Sequence, residues 1–263
     1  MKKSINGFLW IVLFLVAYLA IQAVASLVGY TFTHRKELDV NTMLAVFGVS
    51  SALTIMLFTF CKWSPFSRTY LQSHPWSALF WVILLTMGTI IPSVWFEELI
   101  GADIMSEDQK DMLMKLMKEP AGYIVVGILV PVAEEMVFRG AILRKLLELF
   151  HSRMYWWAIV LSALLFGVVH GNMAQGLHAF LLGLLLGWMY WRTNSIVLGI
   201  VLHWINNTVA FVLSNLIPGA EDARLVDIFG GDQRSVYLAL AFSLCIFLPS
   251  LYQLTIRLKK EES

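Results

Sequence analysis

Two glutamates and an arginine stand in the stretch PVAEEMVFRG, residues 131–140, within an otherwise apolar run. On insertion scales an ionised side chain near the centre of a membrane helix costs about 2.5–3.5 kcal/mol, while each Leu, Ile or Val returns about 0.3–0.6. Three such groups must pair, face the protein interior or line water. Glu135 and Arg139 stand at i and i+4 with the acid first, the better order for an ion pair on one helix face. Successive helical residues point about 100° apart, so Glu134 and Glu135 are not expected to look into the same narrow site. Glu134 is then the unpaired carboxylate and the leading candidate for a general base. The plainer alternative is a Glu-Glu-Arg cluster that only fastens helices together.

Matching chemistry stands further along the chain. FGVVH (166–170) ends one apolar run with His170, and HWINN (203–207) puts His203 and Asn207 at i and i+4 on one face of another. A lone membrane histidine is more often a hydrogen-bonded bridge between helices than a catalyst. Glu, Arg, two His and Asn on three separate spans together supply a base, an orienting group and polar donors. At 1.5 Å per residue, Glu134 counted from Arg144 and His203 counted from Asn194 both fall about 15 Å into the membrane. His170 counted from Arg153 comes out near 25 Å, an excess that tilt or a later helix start must absorb. His178 is a spare candidate near the same end, expected to be structural because the sequence offers it no partner.

These residues must be positioned by elements that live in hydrocarbon. Of 263 residues, 59% are hydrophobic and 14% charged, and the mean hydropathy of +0.73 lies outside the range of soluble globular domains. Eight apolar stretches reach or approach the roughly 20 residues that a spanning helix needs: about 7–30, 42–61, 77–96, 122–143, 155–172, 175–192, 195–217 and 236–256. Their apolar residues are continuous rather than alternating, which selects helices over barrel strands. The expected fold is an all-α polytopic membrane protein, a bundle of about eight transmembrane helices around a buried polar active site. Eight spans put both termini on one side. Lys and Arg divide 11 to 7 between the two sides, which favours cytoplasmic termini. A net charge of +1 gives no basic surplus for nucleic acid. The first run follows Lys2 and Lys3 and contains Ala23-Val24-Ala25, a signal-peptide-like pattern, but its length to about Tyr30 suits a retained span.

Smaller features complete the reading. Cys61 and Cys245 have no CxxC partner and are expected to be small buried hydrophobes. SEDQKDMLMKLMKEP (106–120) has capping-box spacing at Ser106 and Gln109, with Met112, Leu113, Leu116 and Met117 at helical spacing. It reads as a short interfacial helix lying on lipid, with a Met-rich substrate gate as the less favoured alternative. Residues 218–235 read as a loop. Gly183 and Gly187 form a GxxxG that permits close helix approach.

EEMVFR (134–139), FGVVH and HWINN resemble the EExxxR, FxxxH and HxxxN motifs of the CPBP family of intramembrane proteases, which includes type II CAAX prenyl endopeptidases and bacteriocin-processing Abi proteins. The resemblance covers about residues 120–217, and no motif position departs from the pattern. It divides the chain into N-terminal helices (1–120), a protease core (121–217) and a last helix with its tail (218–263). It implies that Glu134 and His170 activate a water, that His203 and Asn207 stabilise the oxyanion, and that Glu135 and Arg139 order the site. The family is usually classed with metalloproteases, so a zinc held by Glu134, His170 and His203 is one expectation; HExxH spacing is absent, and direct Glu/His activation stays open. The implied partners are a peptide or protein substrate in or at the membrane and the lipid bilayer itself, in a bacterial plasma membrane. The competing functions are a proton-coupled transporter, against which no paired broken spans or inverted repeat appear, and an immunity protein that binds a toxin peptide without cutting it.

Overall fold

The computed structural model describes residues 2–33, 38–65, 68–101, 105–217, 219 and 223–258. Of the charges weighed for topology, Arg35, Lys36, Lys259 and Lys260 lie outside them. The described residues are helical with no strand. Seven helices are long and apolar enough to cross a membrane: α1 (Lys2–Thr33), α2 (Val40–Phe60), α3 (Trp76–Leu99), α5 (Pro120–Leu149), α7 (Met173–Thr193), α8 (Val197–Leu216) and α9 (Gln233–Arg257). Shorter helices join them, among them α4 (Glu107–Lys118) and α6 (Tyr155–Val168). The chain is an integral, multi-pass membrane protein.

Helix α5 is the centre of the bundle. Half of its most apolar window is buried, against 17% for α1 and α9. Every side chain from Met136 to Leu143 is buried, and α1, α2, α6, α7 and α8 all pack against this helix. Pro131 interrupts its hydrogen-bond ladder because it has no N–H to give. On either side, Tyr123–Leu129 and Met136–Leu143 widen into π-helical turns, a distortion often found at functional sites. Close approach is secured by small residues. A Cβ at Gly183 would stand 3.0 Å from the Ala163 Cβ and one at Gly187 2.9 Å from the Ile159 Cγ2, so the GxxxG faces α6.

Helix α6 is shorter than the span expected over 155–172. With the 3-10 turn Ser152–Met154 that leads into it, it reaches about 27 Å, a little less than the roughly 30 Å hydrocarbon core. The chain then turns through Gly171 at φ +74°, where glycine is the residue without a steric penalty, and Asn172 caps α7 by accepting from the Gln175 amide at 2.9 Å. The eighth expected span is therefore a partial one.

Three sequence expectations need correction. Cys61 and Cys245 are both exposed; in a bilayer the apolar residues on the outside of the bundle meet lipid, so apolar character does not imply burial. Helix α4 forms with its Ser106–Gln109 capping box. However, Met114, Leu116 and Met117 are buried as it packs against α2 and α8, and Asn215 donates to the Met117 carbonyl at 2.9 Å, so protein covers that face. Residues 218–235 are not loop throughout: Leu225–Ile228 form a helical turn, tied to α3 by a Leu225 N–H bond to Glu98 at 2.7 Å. Asp232 caps α9, and hydrogen bonds from the Ser235 hydroxyl and the Arg234 amide hold its carboxyl below the usual carboxylate range.

Candidate active site

The expected ion pair forms inside α5. Arg139 Nη1 donates to Glu135 Oε1 at 2.9 Å, and both side chains are at most 1% exposed. The guanidinium carbon lies 4.3 Å from the centroid of the Phe166 ring on α6, a cation–π contact that shields the charge from hydrocarbon. Two glycines keep room for the pair. A Cβ at Gly199 of α8 would come within 2.6 Å of Glu135 Oε2, and one at Gly183 of α7 within 3.1 Å of Arg139 Nη2. Gly183 thus serves the polar site as well as the α6 contact.

Glu134 is buried and not alone. Tyr18 of α1 donates to its Oε1 at 3.4 Å, and its Oε2 lies 3.7 Å from His203 Nε2. The other nitrogen of that ring, His203 Nδ1, stands 3.4 Å from Glu135 Oε1. The expectation that adjacent glutamates serve separate sites is therefore overturned. One imidazole presents nitrogens on two sides, and it accommodates two carboxylates that leave the helix in different directions.

Phe166 brings the second histidine to this group. The His170 ring meets it edge-on at 5.0 Å between centroids and the His203 ring at 5.7 Å. His170 Nδ1 lies 2.8 Å from the Phe166 carbonyl. A carbonyl only accepts, so Nδ1 carries a hydrogen, and the neutral ring keeps its lone pair on Nε2. This bond turns the imidazole back toward the preceding helical turn.

Buried polar atoms concentrate here. Glu135 Oε2, Arg139 Nε and Nη2, and His203 Nδ1 have no hydrogen-bond partner among the described protein atoms. A buried polar group left in that state costs about 1–3 kcal/mol, and donors and acceptors gathered in this way are what ordered water satisfies.

Asn207 is one step removed from the carboxylates. Its Nδ2 donates to the Val126 carbonyl at 3.0 Å and its Oδ1 accepts from Asn206 at 3.3 Å. His178, expected to lack partners, has two: Glu97 of α3 at 2.9 Å from Nδ1 and Asn206 at 3.3 Å from Nε2. Tyr18, Glu97 and Asn206 were not singled out by sequence. The signal available was polarity inside an apolar run, clearest at Glu97, which stands just past the expected end of the third span.

The donor types Glu134, His170 and His203 suit zinc, but among the described residues no three His, Cys, Asp or Glu side chains are grouped as a metal ion requires. No step below is routed through a metal.

Residues 117–209 match the model of a family described as type II CAAX prenyl endopeptidase Rce1-like. No curated protein and no solved structure matches the chain.

Proposed function

We propose that this membrane protein, whose residues 117–209 match the Rce1-like family model, is an endopeptidase that hydrolyses a peptide bond within the bilayer, in a CAAX-type or other membrane-associated substrate. The observation that carries the reading is His203 standing between Glu134 at 3.7 Å and Glu135 at 3.4 Å, with all three side chains at most 9% exposed. Burial of this much charge is tolerable where the charges cancel. The Arg139 guanidinium offsets one carboxylate, and the His203 ring stands close to both.

The division of labour follows. Glu134 removes a proton from a water as its oxygen attacks the scissile carbonyl carbon, and His170, with Nε2 bare, shares that duty. The carbonyl oxygen becomes an oxyanion, which N–H donors on His203 and Asn207 stabilise. The carbon–nitrogen bond then breaks, the proton held at Glu134 passes to the leaving amine, and a carboxylic acid and an amine depart. Glu135 and Arg139 fix the orientation of His203. In this reading residues 121–217 form the catalytic core, and α1 adds Tyr18 to it.

The test is mass spectrometry of membrane proteins and secreted peptides from cells carrying the wild type, E134A or H170A. A precursor should accumulate uncut in both variants while each protein remains inserted, with loss of cleavage on the order of 10²–10⁴-fold, as for removal of a general base. Cleavage retained in both variants would refute the assignment. Protection from a toxin peptide that survives E134A would instead favour a binding protein, and proton-coupled uptake in sealed vesicles a transporter.

A further inference from the structure

Glu97, His178 and Asn206 form a second polar group, drawn from α3, α7 and α8, that the proposed chemistry does not use. Its hydrogen bonds have a direction that can be read from one fixed end. The Val126 carbonyl only accepts, so the Asn207 atom 3.0 Å from it is the amide nitrogen. Asn207 Oδ1 is then the acceptor for Asn206 Nδ2 at 3.3 Å, which turns Asn206 Oδ1 toward His178 Nε2 at 3.3 Å. That oxygen also only accepts, so Nε2 carries a hydrogen, and Nδ1 shares a proton with Glu97 across 2.9 Å. Reversing either amide would set oxygen against oxygen at Val126 or between the two asparagines. Glu97 lies outside the segment that matches the family.

We propose that Glu97, His178 and Asn206 are positioning residues that set the amide of Asn207. They hold one Nδ2 hydrogen on the Val126 carbonyl and leave the second for the oxygen of a substrate carbonyl. The proposal rests on the endopeptidase reading of the site. Pre-set donors act on the oxyanion without reorganising during the reaction, which is why their orientation matters more than their presence. A cluster that merely tied three helices together would lower stability when cut and would not single out the turnover step.

The probe is a fluorescence-quenched S-prenylated peptide with a CAAX C-terminus, assayed with full-length protein in detergent micelles. N206D keeps shape but has no hydrogen for Asn207 Oδ1, so kcat should fall roughly 100-fold, the scale of one lost oxyanion donor, with KM nearly constant. N207A should cost about the same, and the N206D/N207A double variant no more than either single one, because all three lose one donor. E97Q can still donate to His178 Nδ1 and keep the chain's direction, so it should stay within about 3-fold of wild-type kcat while E97A loses about tenfold or more. Wild-type kcat in N206D, single losses that multiply in the double variant, or equal losses in E97Q and E97A would overturn the relay. If N206D does not elute as a folded, monodisperse protein, the E97Q and E97A pair decides. E134Q is assayed alongside. An inactive E134Q with a fully active N206D overturns the relay alone, whereas a fully active E134Q, or a wild type that leaves the peptide whole, overturns the CAAX endopeptidase reading and the relay with it.

Discussion

Helices α5 and α9 have nearly the same mean hydropathy, 1.7 and 1.8 over their most apolar windows, yet they occupy opposite environments. Helix α5 is fully buried from Met136 to Leu143 and carries Glu134, Glu135 and Arg139, while α9 packs against α3 and turns Leu238, Phe242 and Leu248 outward. Apolar content alone cannot separate the two, because lipid accepts the same side chains as a protein core. What separates them is the cost of charge. Carboxylates and a guanidinium are tolerated where other helices bring partners, and α8 brings His203 while α6 brings Phe166.

Substitutions can break this contrast or sharpen it. R139M removes the partner of a fully buried carboxylate and should destabilise the fold by about 3–5 kcal/mol, read as a lower unfolding midpoint in mixed micelles. A stable R139M would mean that Glu135 does not depend on the pair. G199A places a methyl 2.6 Å from Glu135 Oε2 and should cost about 1–3 kcal/mol as the pair is displaced, with a fall in turnover beyond the loss of folded protein. At the other extreme, L238A on the outer face of α9, where the side chain is 59% exposed, should stay within about 0.5 kcal/mol of wild type in the same unfolding measurement. A large loss there would show that this face is covered in the assembled protein.

The same contrast explains what the sequence could tell. The Glu135–Arg139 bond was readable because both partners sit on one helix at fixed spacing. The number of helices was readable, since length and apolar content are properties of a window; the end of α6 was not, because it depends on the Gly171 turn and the Asn172 cap. The cysteine expectation failed because it borrowed a rule from proteins in water, in which apolar means inside. Contacts between distant residues were the hardest. His203 serving both carboxylates, Tyr18 reaching Glu134 from 116 residues away, and His178 held between α3 and α8 all arise from packing, which leaves no periodic trace in the chain.

Helix α6 carries a last implication. A wall about 3 Å shorter than the hydrocarbon slab beside it leaves nearby acyl chains to compress or the helix cluster to sink. Lipids with short tails would meet that wall at little cost, whereas long-tailed ones would strain against it by fractions of a kcal/mol per Å. The dip would bring headgroups and water closer to His170, shortening the journey a polar backbone segment makes from the surface. Bilayer composition then becomes a control on this molecule, exerted through the end of a single helix.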